Sequence, residues 1–134
     1  MILRFLSAFY GGLQSVSSGI YFNWGMTYAR WGQPMKAMFY LNRAAKLNKK
    51  GAHIFYQRAL LLIAMGQPES AIYDFDAAIE ANPSYMEAYL NRGIMHALTG
   101  RQEKAQNDVE SAVALGADRP SLERSIAEMR DNAE

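Results

Sequence analysis

Residues 52–85 read AHIFYQRALLLIAMGQPESAIYDFDAAIEANPSY, and the rest of the chain is read outward from this stretch. Gly66 divides it near the middle, and small residues stand at Ala59, Ala71 and Ala78. Moving 34 positions in either direction, to 18–51 and 86–119, brings up the same register without insertion or deletion. The eighth column reads Gly25, Ala59, Gly93, and the fifteenth Gly32, Gly66, Gly100. The twentieth reads Ala37, Ala71, Ala105, and the twenty-seventh Ala44, Ala78, Ala112. Large apolar residues share other columns: Tyr21, Phe55 and Tyr89, then Leu41, Phe75 and Val109.

Each unit divides at its central glycine into two helical stretches. Glycine there takes the left-handed backbone angle that ends a helix at little steric cost. Gly-Gln-Pro at 32–34 and 66–68 puts proline where the second helix begins, a position that tolerates it. Columns of Gly and Ala let two helices approach closely while the large columns fill the remaining space. One hairpin cannot bury its apolar face alone, so the units are expected to stack.

These residues resemble the tetratricopeptide repeat family. The middle unit carries Phe55, Ala59, Leu62, Gly66, Ala71, Phe75, Ala78 and Pro83. The first carries Tyr21, Trp24, Gly25, Tyr28, Gly32, Ala37, Leu41 and Ala44, and the third Tyr89, Gly93, Gly100, Ala105, Val109 and Ala112. His96 replaces an expected Tyr, and the late Pro is Lys49 or Ala117 in the outer units. The resemblance implies an all-α, right-handed α-solenoid of three helix-turn-helix units at 18–51, 52–85 and 86–119. Residues 1–17 form an apolar N-terminal helical segment outside the repeats, and 120–134 read as a capping helix and tail. Asp118 or Ser121 is placed to cap that last helix, with Leu122, Ile126 and Met129 on one side and Glu123, Arg124, Glu128 and Arg130 on the other.

With 134 residues the chain is one domain, and without cysteine it has no disulfide framework or thiolate metal site. The net charge is +1, yet the first acidic residue is Glu69, so residues 1–68 carry +8 and the remainder −7. Lys36, Arg43, Lys46 and Lys50 fall within one arc at 100° per residue and read as a basic outer stripe on the second helix. Anionic lipid, an acidic partner or the acidic half of a second copy would answer such a stripe. Nucleic acid fits least, because total charge is low and no recognised module is present.

In residues 1–17, Ile2, Phe5, Leu6, Phe9 and Leu13 follow helical spacing, and the pair Gly11-Gly12 is expected to break or bend the helix. The run is too short to span a bilayer. It reads as a cap on the first repeat, as a membrane-interface segment, or as a docking element built on Ile2, Phe5, Leu6 and Phe9. Location stays open between intracellular and organellar sites, including one peripheral to a membrane.

Catalytic motifs are absent from the sequence. His53 and His96 lie 43 residues apart in different repeats, and no metalloprotease, phosphate-loop or dinucleotide motif occurs. Asp74 and Asp76 face different directions on a helix, and Glu69 and Asp108 read as members of solvated outer faces. The expectation is no enzyme, no cofactor and no metal.

By the same resemblance, first helices line a concave groove. Its columns hold Phe22, Tyr56 and Leu90, the amides Asn23, Gln57 and Asn91, and then Met26, Leu60 and Ile94, with Arg30 as the lone charge. The family's clamp for acidic chaperone tails maps onto Phe22, Met26, Gln57, Glu87 and Asn91, where no cation survives. The expected function is a non-catalytic interaction module, an adaptor or scaffold subunit that binds a protein or peptide segment. Homo-oligomerisation by basic-to-acidic stacking, or holding a hydrophobic client, are the alternatives.

Overall fold

The computed structural model describes residues 1–132, apart from the side chains at positions 14 and 15. Seven helices account for nearly all of it: α1 (Ile2–Arg30), α2 (Pro34–Leu47), α3 (Ala52–Ala64), α4 (Pro68–Ala81), α5 (Met86–Leu98), α6 (Gln102–Ala114) and α7 (Arg119–Asp131). No strand occurs among the described residues. Helices pair as α1–α2, α3–α4 and α5–α6, the hairpins meet through α2–α3 and α4–α5, and α7 lies against α5 and α6. This is the expected stack of three hairpins with a C-terminal cap. Ala133 and Glu134, the end of the expected tail, lie outside the described residues.

The turns follow from the glycines. Gly32, Gly66 and Gly100 have φ of 67°, 73° and 79°. Beyond each, an amide reaches back across the helix end: Gln33 N–H to Tyr28 O and Gln67 N–H to Leu62 O at 2.9 Å, and Arg101 N–H to His96 O at 2.8 Å. The 6→1 bond satisfies a carbonyl that would otherwise be orphaned. Pro34 and Pro68 open α2 and α4. Between hairpins, Asn48 and Asn82 each accept the amide two residues on, from Lys50 at 3.2 Å and Ser84 at 3.1 Å. The first inter-hairpin turn therefore keeps its shape without the late proline.

The small columns are the contact points. Ala37, Ala44, Ala59, Ala71, Ala78 and Ala112 are completely buried, around Leu41, Ile54 and Phe75. A Cβ on Gly25 would stand 2.9 Å from Leu41 Cγ, and one on Gly93 would stand 3.1 Å from Asp108 Cβ. Asp118 caps α7, accepting the Ser121 amide at 3.0 Å.

The N-terminal segment departs from expectation. It neither bends at Gly11-Gly12 nor forms a separate helix; α1 runs without interruption into the first hairpin. Two interior glycines cost a helix roughly 1 kcal/mol each, and that penalty does not break the hydrogen-bond ladder. Nor does it cap the first repeat. Ile2, Phe5, Leu6, Phe9 and Leu13 all stand exposed on a projecting arm.

Candidate functional site

The groove columns sit on consecutive first helices, and two contacts join those helices. Phe22 of α1 lies edge-on to His53 of α3, ring centroids 4.8 Å apart. Asn91 of α5 donates from Nδ2 to the Tyr56 hydroxyl of α3 at 3.1 Å, and also to the Glu87 carbonyl at 2.9 Å. Tyr56 stacks on Tyr85 at 4.9 Å and tilts against buried Phe75 at 5.9 Å. Burial, reinforced by the Glu87 charge, raises the Tyr56 hydroxyl above its ordinary pKa, so it stays a neutral donor and acceptor.

The apolar columns are half-buried rather than open: Phe22, Met26, Leu90 and Ile94 keep part of their surface, and Tyr56, Leu60 and Ile94 also border the central core. Among the amides, Asn23 is exposed, Gln57 is half-buried and Asn91 is already engaged by Tyr56. Arg30 is exposed at the end of α1. The N-terminal arm leaves this surface uncovered.

On the basic stripe, Lys36, Arg43 and Lys46 are exposed along α2. Lys50 lies past the helix end at Leu47, in the turn before α3, so the helical arc ends earlier than its spacing implied. Two of these cations lie over aromatic faces. Lys36 Nζ is 5.3 Å from the Tyr28 ring, and the Arg43 guanidinium is 4.9 Å from Phe39 and 5.6 Å from Tyr21.

Asp108 requires a correction: it is not on a solvated face but 4 % exposed, and Asp74 is 7 % exposed. Arg58 holds Asp74 through two bonds of 2.7 Å and reaches Asn42 of the preceding unit at 3.1 Å. Arg92 holds Asp108 at 2.9 and 2.6 Å and reaches Asp76 of the preceding unit at 2.8 Å. Those bonds, to Asp108 first and then Asp76, raise the Arg92 pKa further above its ordinary value. Each arginine thus bolts its own hairpin shut and ties it to the one before. The signal lay in the seventh and twenty-third columns, which read Arg58 and Arg92, then Asp74 and Asp108. In the first unit the same columns hold Trp24 and Tyr40, whose rings stack at 6.3 Å.

A cavity of about 420 Å³ between α4 and α6 is lined by Glu69, Asp76, Arg92, His96, Arg101 and Lys104. Its arginines are already paired, Arg101 with Glu69 at 2.9 Å. His96 is buried with Nδ1 unpartnered, and that burial lowers its pKa. The arrangement is an ion-pair network that braces the second and third units.

The tetratricopeptide repeat model matches residues 18–50 and 52–85, half of the chain. The third hairpin repeats that geometry beyond the matched range. No curated protein matches the chain. Among solved structures, the first TPR of Spaghetti (RPAP3), bound to the HSP90 peptide SRMEEVD, is 18% identical with a TM-score of 0.78, covering 89% of this chain and 94% of that one. MamA is 24% identical, TM-score 0.72, with 76% of this chain and 59% of that chain covered. YrrB, described as a TPR protein with an unusual peptide-binding site, is 25% identical, TM-score 0.72, with 81% and 56% covered. The chain therefore spans somewhat more than half the length of MamA and YrrB.

Proposed function

The chain belongs to the tetratricopeptide repeat family and is a protein-interaction module, and on that premise we propose that it is a non-catalytic adaptor or scaffold subunit whose concave groove holds an apolar partner segment. The observation that carries this reading is the half-exposed apolar surface on three joined helices, Phe22 and Met26 on α1, Tyr56 and Leu60 on α3, Leu90 and Ile94 on α5. Apolar side chains left partly wet in register are a ready source of binding energy, and the amides Asn23 and Gln57 beside them can pair with a peptide backbone.

The peptide bound by RPAP3 is acidic at its end. Here Phe22, Met26, Gln57, Glu87 and Asn91 supply no cation to receive a carboxylate, so the favoured segment is apolar or aromatic. Panning a random peptide display library against the purified chain tests this. Enriched peptides should be apolar, and their binding should fall in Gln57→Arg and in Tyr56→Asp with Leu60→Asp while helicity is kept. Equal binding to all variants, or enrichment of acidic C-terminal tails, refutes the groove assignment.

A further inference from the structure

The exposed apolar stripe of the arm does not end with the arm. Ile2, Phe5, Leu6, Phe9, Leu13 and Val16 share one side of α1 and are 45–79 % exposed. On the same side, at 100° per residue, come Ile20, Trp24 and, one residue past the helix end, Trp31, 53, 48 and 63 % exposed, with Asn23 and Thr27 among them. The opposite side of α1 carries Ser18, whose hydroxyl donates to Ala44 O at 3.0 Å, and Gly25, which abuts Leu41. The stripe thus lies away from the Ser18–Ala44 and Gly25–Leu41 contacts with α2, and meets α2 only along its edge, where Trp24 stacks on Tyr40 at 6.3 Å. Trp24 occupies the column in which the later units place their backward-reaching arginines.

Two occupants compete for this stripe: another helix, or lipid. Positions 2, 6, 9, 13, 16 and 20 would suit a helical seam, but its flanks carry Leu3, Phe5, Tyr10 and Gly12 in place of the charges that set helix pairing. A second copy would also bring its own acid-free, +8 half against this one. A broad apolar arc with a polar side of Ser, Gly and a single Arg4 suits a continuous hydrocarbon phase. Beside the stripe, α2 exposes Met35 (71 %) and Phe39 (53 %) next to Lys36 and Arg43, the mixture of aromatic and cation that settles at lipid head groups.

We propose that α1 is an interfacial helix that lies on an anionic membrane surface, its stripe in the acyl boundary, with Lys36 and Arg43 among the head groups. Among the described residues no helix is long and apolar enough to cross the bilayer, so the contact is parallel to the surface. The inference concerns a face that borders the concave groove at Asn23, and it does not rest on the groove reading.

Both tryptophans of the chain, Trp24 and Trp31, lie on this stripe and report on it directly. The full chain, mixed with phosphatidylcholine vesicles with and without phosphatidylglycerol, should co-sediment with the anionic vesicles and show blue-shifted tryptophan emission. Phe5→Asp with Phe9→Asp, at exposed arm positions, should weaken partitioning by at least ~tenfold without altering the melting curve. Lys36→Glu with Arg43→Glu should cost about fivefold per cation. Absence of partitioning by the unmodified chain, or undiminished partitioning of Phe5→Asp/Phe9→Asp, overturns the proposal. So does an oligomer in sedimentation velocity that those substitutions dissolve while vesicles recruit nothing, because a second copy would then cover the stripe. Peptide binding in the groove, measured on the same variants, reports separately on the concave face.

Discussion

Arg58 closes its guanidinium fork on Asp74 with two bonds of 2.7 Å, and 34 residues later Arg92 does the same to Asp108. Removing one partner of a buried pair strands the other. Arg92→Met leaves the nearly inaccessible Asp108 uncompensated and should cost about 3 kcal/mol. Arg92→Met combined with Asp108→Leu should cost less than the single change, because no charge remains buried. Urea denaturation monitored by circular dichroism gives both values; a double variant as weak as the sum of its parts would count against this reading.

The first unit lacks that pair, and Trp24 and Tyr40 stack instead. Installing Arg at 24 or Asp at 40 alone should destabilise the first hairpin. Trp24→Arg with Tyr40→Asp should recover part of the loss, with a coupling of about 1–2 kcal/mol in a double-mutant cycle.

Glycines in α1 divide by environment. A methyl at Gly25 meets buried Leu41 at 2.9 Å and Ala37 O at 3.3 Å, so Gly25→Ala should lower stability by about 1 kcal/mol despite better helix propensity. A methyl at Gly11 meets nothing within 4 Å. Gly11→Ala should raise the helical signal and slow amide exchange in the arm, leaving the denaturation midpoint of the repeats unmoved.

His96 supplies a pH dependence. Burial holds its imidazole below the ordinary pKa, so on acidification the unfolded chain takes up the proton first. Stability is complete above the ordinary histidine value of about 6.5 and declines as pH falls below it, toward the lower folded-state value. Melting temperature should therefore drop between pH 7 and pH 5.5, and His96→Leu, the residue type at the equivalent Leu62, should flatten that slope.

The turns and core were legible because each column answered to one cause. Gly32, Gly66 and Gly100 end helices, and alanines mark where helices touch. Asp108 was misread because a charged side chain on a helix is ordinarily solvated, and only a partner in another helix shows otherwise. That partner stood in the seventh column in both units, visible once arginine and aspartate are read together. The break expected at Gly11-Gly12 rested on propensity alone, which a long helix outweighs through its neighbouring turns. The proposed groove could be written from the sequence as a set of columns; the bond from Asn91 to Tyr56 could not, since it depends on how far adjacent hairpins rotate.

Because α1 is unbroken from Ile2 to Arg30, the arm and the first hairpin share one helical phase, like two keys cut on the same shaft. Adding a single residue near Ser17 would turn the apolar side by about 100° relative to the hairpins, whereas adding seven would restore it to within about 20°. Whatever the arm rests on thereby dictates the direction in which the concave surface looks.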